Sequence, residues 1–483
     1  MKKSVLKNYF YNIFYEIVTL FTPIITIPFL TRVIGPTGLG INTFTESVVS
    51  WFILFAMLGI RTYGSKETAK LNNDREKRSK FFCELVFFQF ISFILMIILY
   101  YAIFSSLNTD YRMFYLVKGL IILSTAFDIT WLYSGLENFK QITFRNLFVK
   151  ILNIVLILTL LKTSDDLLLM MIINLSTTFL GFIIMWFSIK KYVDLIKIRI
   201  KDALSHWKSI FQFFIPQLSM GIYSSLDQTM IGIFSPNVAD VGFYGQAQKF
   251  VKMFMFVNTS LSTVMMPRIV SLRAENNEEL AKKYIISSFN MSLYLGIGMM
   301  IGLASIAMFF VPWFMGNDFY DVGPLMIAIS PIILFISLTT VLGSQYLIPF
   351  EKIKFYSKSV TLGCIINVVL NLILIPFFGA IGASIASVVA EMSVFLVQFK
   401  LSRNDIKFTA VRKNLFQFAF SGILMGIVVV LIGLNFKLCI LTNLMQVFAG
   451  IFVYGSVLFL LGNKVQIEVF KEFKNIFKKV ISR

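Results

Sequence analysis

Apolar residues run along this chain in long blocks separated by short polar, mostly basic stretches. Blocks of that kind fall near 8–31, 41–60, 81–104, 113–134, 143–162, 167–187 and 208–233. Seven more follow near 242–266, 285–314, 323–347, 359–378, 380–400, 414–435 and 439–462. About 20 mostly apolar residues is the length at which a helix crosses a hydrocarbon core. The pattern therefore predicts about 14 membrane-spanning helices, with both ends of the chain on one side. The pair at 359–400 is divided by Pro376 and the Gly379–Gly382 stretch. The expected fold class is an all-α polytopic membrane protein.

Composition agrees and removes the main rival. A soluble chain of 483 residues would hold roughly three domains at ~150 residues each. This one is 57% apolar and only 14% charged, with a mean hydropathy of +0.79; an average globular domain is about a quarter charged. Secreted enzymes, cytosolic enzymes and DNA-binding proteins are excluded together. The net charge of +19 changes the picture only once it is placed. With the N-terminus in the cytoplasm, 37 of the 44 Lys and Arg fall on the cytoplasmic side. Only Arg32, Arg112, Lys118, Lys162 and Lys437 fall opposite, and Lys249 and Lys252 lie inside an apolar run. Basic residues gather in cytoplasmic loops, so both termini are expected to be cytoplasmic and no nucleic-acid partner is implied. The outer loops are short, the longest about ten residues, which leaves no place for the paired acids of a glycosyl-transferring enzyme. No enzyme is expected. Cys83, Cys364 and Cys439 match no metal or disulfide spacing, and His206 is the single histidine, so no metal site is expected. The first apolar run is too long for a cleavable signal and lacks a small-residue cleavage site.

The chain also carries a weak repeat. Gly35-Pro36, Phe44, Glu46 and the charged stretch Arg61–Lys80 are answered two hundred residues later by Ser235-Pro236, Tyr244, Gln246 and Arg268–Lys283. Proline-bearing helices precede both copies, with Pro23 and Pro28 in one and Pro216 in the other. Six helices per copy is an even number, so the copies enter the bilayer in the same direction, as in transporters that rock two bundles about a central site. The expected organisation is two parallel six-helix lobes, residues 1–200 and 201–400, around a central cavity. Helices 13 and 14 (401–462) lie outside the repeat. In the tail, 463–483, Phe470, Phe473, Phe477, Val480 and Ile481 alternate with lysines at the spacing of an interfacial helix on anionic lipid.

Charges inside spans cost several kcal/mol unless they meet water or a partner. They are Glu16, Glu46, Asp128, Asp227, Lys249, Lys252 and Glu391, with Arg32 and Arg61 at helix ends. Lys249 and Lys252 share a helix face, and Gln246 continues it. We read this stripe, with Glu46 at the equivalent place in the first copy, as lining the cavity and suiting an anion such as a phosphate; the competing reading is snorkelling to the interface. Asp128 and Asp227 each sit in a polar patch. Either could carry a proton or Na⁺, or serve as an interhelical hydrogen-bond acceptor. The glycine-rich run Gly35–Gly40 lacks the Gly-Lys-Ser/Thr ending of a phosphate loop and is expected to form a tight turn. No ATP-binding signature and no cofactor are found.

The stretch Leu30-Thr31-Arg32-Val33-Ile34-Gly35-Pro36-Thr37-Gly38-Leu39-Gly40 resembles the motif after the first helix of polysaccharide flippases. Leu58-Gly59-Ile60 followed by Tyr63-Gly64-Ser65-Lys66-Glu67, and Trp131–Phe139, are similar to further segments of that family. These are the Wzx-like repeat-unit flippases of the multidrug/oligosaccharidyl-lipid/polysaccharide exporter superfamily. The resemblance implies a V-shaped pair of lobes with alternating access, in a bacterial plasma membrane. It implies a substrate of undecaprenyl-pyrophosphate carrying an oligosaccharide, with membrane lipids, the polysaccharide polymerase and the chain-length machinery as partners. Arg32 matches the motif arginine; from the charge pattern, Arg61, Lys249 and Lys252 are expected to meet the pyrophosphate. A multidrug/cation antiporter and a lipid II flippase are the alternatives, the first disfavoured by lysines where an acidic, aromatic cavity would be needed.

Overall fold

The computed structural model describes residues 3–106, 111–403, 405–406, 408 and 411–471. Its helices are α1 (Lys3–Met57), α2 (Ile60–Lys70), α3 (Arg75–Phe104), α4 (Arg112–Thr125), α5 (Thr130–Gly135), α6 (Phe139–Leu160), α7 (Leu167–Phe187) and α8 (Ile200–Ser205). They continue with α9 (Trp207–Phe234), α10 (Ala239–Ala274), α11 (Glu278–Met315), α12 (Val322–Ile329), α13 (Pro331–Thr340), α14 (Ile353–Ser402), α15 (Val411–Asn435) and α16 (Ile440–Leu460). A π-helical segment, Val341–Leu347, extends α13. The fourteen expected windows fall on helix, that at 113–134 with an interruption over 126–129. Among the described residues nine helices are long and apolar enough to cross a membrane, ten if the pair bent by 42° around Ser330 counts as one span. The chain is a multi-pass membrane protein.

Two of these helices are too long for one crossing and break where glycine permits it. In α1 the break is Gly35, at φ 74° and ψ 175°. The tight turn expected over 35–40 is thus concentrated in one residue, and Pro36–Gly40 continue as helix. In α14 the break is Gly379, at φ 52° and ψ −132°, a region that L-residues with a side chain avoid. There the chain doubles back on itself: Asn367 Nδ2 donates to Ser387 Oγ (3.3 Å) and Gln398 Nε2 to Ser359 Oγ (3.0 Å). Small polar residues let two helices close in lipid, where apolar side chains alone give no preference for protein over acyl chain.

The chain forms two compact units, Met1–Gly242 and Phe243–Arg483. The core of the first gathers Trp131, Tyr133, Phe82, Phe93 and Tyr100; that of the second gathers Phe289, Phe418, Tyr346 and Ile285. The repeat would place α9 with the second lobe. In the structure α9 packs within the first unit, on α1 and α2. Trp51 Nε1 donates to Thr229 Oγ1, which donates to Ser47 Oγ (both 3.0 Å), and Gln217 Nε2 donates to Thr62 Oγ1 (2.9 Å). Side-chain hydrogen bonds of this kind outweigh the sequence periodicity on which a repeat boundary rests. Of the amphipathic tail, Phe473, Phe477, Val480 and Ile481 lie outside the described residues, as does the side chain of Glu16.

Outside the spans, ion pairs tie the connecting segments down. Arg75 clamps Asp194 in a bidentate pair (2.7 and 2.8 Å), and its guanidinium holds that carboxyl below the usual carboxylate range. Lys352 and the Tyr346 hydroxyl do the same to Asp405. A carboxyl whose folded pKa is depressed contributes stability above its unfolded value, and loses that contribution as pH falls through the folded one. Thermal stability in detergent should therefore fall on acidification below about pH 4, and an Asp194→Asn/Asp405→Asn variant should show a flatter acid limb.

Candidate functional site

In the first unit, the segments on α2 and α5 that resemble the flippase family pack against each other. A Cβ on Gly64 would fall 2.7 Å from the Trp131 indole, and one on Gly135 would fall 2.6 Å from the Ser65 carbonyl oxygen. Gly135 thus lies against the backbone of α2 and Gly64 against the Trp131 ring, and neither place has room for a side chain. α5 is short because the chain is interrupted over 126–129, and that interruption is held from three sides. Gln89 Nε2 donates to the carbonyls of Ala126 (2.8 Å) and Asp128 (3.0 Å), while Gln89 Oε1 accepts from Trp131 Nε1 (3.2 Å). Trp186 Nε1 donates to Phe127 O (2.9 Å). Broken helices whose freed backbone groups are re-satisfied by buried side chains are typical of sites at membrane depth.

The interruption presents Asp128 to Arg61. One carboxylate oxygen accepts from Arg61 Nε (3.0 Å) and Nη2 (2.7 Å). The other accepts from the Thr130 amide (3.0 Å) and hydroxyl (2.6 Å). The Asp128 side chain is 2% exposed and that of Arg61 54%. The sequence reading put these two residues in different roles, phosphate binding and ion coupling; the structure makes them one pair. Both oxygens of Asp128 are engaged, one of them in a charge-assisted pair. Arg61 keeps an exposed edge, since its Nη1 forms no hydrogen bond with the described residues. The arrangement is a guanidinium fixed from behind by a buried acid and open in front, which is suited to a doubly charged oxyanion.

A second pair lies in the same unit. Lys118 on α4, 2% exposed, reaches Glu46 on α1 at 3.2 Å, and Glu46 is 65% exposed. The sequence reading counted Lys118 only as an outer flank charge. The signal that could have found it is its position six residues inside α4 among apolar neighbours. Replacing Glu46 by glutamine should cost about 2 kcal/mol of stability, a buried-pair loss discounted for solvent at the glutamate. Thermal unfolding in detergent checks this, and Lys118→Met added to Glu46→Gln should recover most of the loss. His206 was also missed as a contact. Its Nδ1 lies 2.8 Å from the Tyr63 hydroxyl and its Nε2 3.0 Å from Glu84 Oε2, so it fastens the start of α9 to α2 and α3.

Arg32 is exposed on α1 and donates to Pro28 O (2.8 Å). In the second unit Lys249 and Lys252 are both exposed, and Gln246 is buried, its Oε1 accepting from Lys249 Nζ at 3.4 Å. Asp227, on α9 of the first unit, is buried at 4%. Among the described residues no cluster of His, Cys, Asp or Glu could hold a metal ion.

Residues 5–273 match the model of a family described as "Polysaccharide biosynthesis protein". The chain belongs to that family. A "Putative O-antigen transporter" of Escherichia coli K12 is 20% identical over 418 residues, covering 84% of this chain and 98% of the relative. A "Probable low-salt glycan biosynthesis flippase" of Haloferax volcanii is 22% identical over 52% of this chain and 53% of its own length. Among solved structures, the lipid II flippase MurJ in an inward closed conformation matches with a TM-score of 0.71 and 16% identity, over 99% of this chain and 100% of that one. A multidrug resistance MATE family transporter of the MOP superfamily, in an inward-facing conformation, matches at TM-score 0.55 and 14% identity, over 81% and 98%. These two structural likenesses establish the fold. The expected resemblance to polysaccharide flippases holds; Arg61 and Asp128 lie beside the resembling segments rather than in them.

Proposed function

We propose that this protein is a flippase for lipid-linked oligosaccharides. It moves undecaprenyl-pyrophosphate-linked repeat units from the inner to the outer leaflet of a bacterial plasma membrane, for a capsule, exopolysaccharide or O-antigen-type polymer. The observation that carries the reading is the family match over residues 5–273 together with relatives that are named as an O-antigen transporter and a glycan flippase. The exposed edge of Arg61 supports it chemically. A pyrophosphate oxygen can meet Nη1 while Asp128 keeps the guanidinium oriented, and the sugar crosses without a bond being made or broken. Both termini are cytoplasmic in this reading, and Lys249 and Lys252 offer further cations to the pyrophosphate. Coupling to a proton or Na⁺ gradient would drive the cycle, with the acids Asp128 and Asp227 as its candidate carriers.

The test is a leaflet assay in proteoliposomes. Fluorescent undecaprenyl-pyrophosphate oligosaccharide is loaded on one side, and its arrival on the other is timed against protein-free vesicles. Transfer should be rapid, with the recovered substrate chemically unchanged. Equal rates with and without protein, across varied headgroups and ion gradients, would overturn the function. Transfer that survives in Lys249→Ala/Lys252→Ala would remove those two lysines from the site.

A further inference from the structure

Helices α15 and α16 belong to the second unit and lie outside the repeat. Where α15 begins and α16 ends they flank an open surface groove of about 400 Å³, lined by Lys413, Phe416, Gln417, Phe420 and Leu461. Phe416 and Phe420, one helical turn apart, stack at 6.4 Å with their planes within 10°, so they form one continuous apolar wall. Gln417 is already satisfied: its amide donates to Leu461 O (3.0 Å) and its oxygen accepts from Asn463 Nδ2 (2.6 Å). The polar demand of the groove therefore falls on Lys413 at its rim. Arg412 and Lys464 are exposed beside it, and Glu468 is the single acid among the described residues of 411–471. A soluble anion would leave the aromatic wall uncovered, and a neutral chain would leave the cations unmatched. An amphiphile with one anionic head satisfies both, because basic residues at a membrane surface attract anionic headgroups and their stems lie along apolar surface.

We propose that this slot binds one anionic phospholipid, its phosphate at Lys413 and an acyl chain along Phe416 and Phe420. Full-length protein in neutral detergent is titrated, by native mass spectrometry, with dioleoyl-phosphatidylglycerol, with dioleoyl-phosphatidylcholine, and with inorganic phosphate. One phosphatidylglycerol should bind in preference to phosphatidylcholine, and Lys413→Glu should weaken it roughly tenfold. Phe416→Ala should weaken both lipids alike. Lys413 and Phe416 are exposed, so both variants should keep the wild-type unfolding temperature without lipid; Lys413→Gln serves as a milder second variant. Equal binding of the two lipids, competition by inorganic phosphate alone, or phosphatidylglycerol binding unchanged in Lys413→Glu and Lys413→Gln would each overturn the proposal. So would a dimer that buries this face.

Discussion

Arg61→Ala should slow substrate transfer by about 10- to 100-fold, the cost of one charge-assisted hydrogen bond to a phosphate oxygen at ~1.5–3 kcal/mol. Arg61→Lys should recover only part of the rate, because an ammonium cannot both hold Asp128 and present a second edge. The paired test separates binding from folding. Asp128→Asn keeps the Thr130 contacts but gives up the charge that orients the guanidinium. It should slow transfer less than Arg61→Ala while lowering the unfolding temperature more, since Asp128 is buried at 1% exposure and Arg61 is not. If Arg61→Ala transfers at the wild-type rate while remaining folded, the arginine is a structural partner of Asp128 and nothing more.

The second large effect is expected at Gly135. A side chain there meets the Ser65 carbonyl at 2.6 Å and Thr68 Cβ at the same distance, and the first of these is backbone that cannot rotate away. Gly135→Val should force α2 and α5 apart, costing about 1–3 kcal/mol or more. Because that pair also carries Arg61 and abuts Asp128, transfer should fall with stability. Gly298→Ala provides the contrast. Its new carbon would first meet Tyr454 ring atoms at 3.2 Å, a side chain that can give, so its effect should be small. Detergent unfolding temperatures of the two variants, measured side by side, decide the matter; a Gly135→Val protein as stable as Gly298→Ala would show that α2 and α5 do not pack as described.

The spans were legible because a membrane imposes a length and a polarity on each helix, and runs such as 285–314 and 414–435 meet both without ambiguity. Orientation was likewise readable as an expectation from the distribution of lysines and arginines. Pairing was not. Asp128 and Arg61 are 67 residues apart, and nothing in their local patterns distinguishes a carboxylate that binds an ion from one that anchors an arginine. Lys118 was hidden by a rule applied correctly: counting basic residues by side treats each as a flank charge, whereas this one turns inward to Glu46. The contacts of α9 were hidden for a related reason. Sequence repetition reports ancestry of segments, while the hydrogen bonds of Thr229 and Gln217 report which neighbours a helix finally holds.

The reversal at Gly379 has a practical side for anyone mapping this protein from outside. α14 passes through that turn with one non-helical residue, so there is no loop for a protease to cut, only the exposed rings of Phe377 and Phe378. An epitope inserted there would not decorate a surface. It would unzip Asn367 from Ser387 and Gln398 from Ser359, and the label would report on a hairpin it had just pulled open.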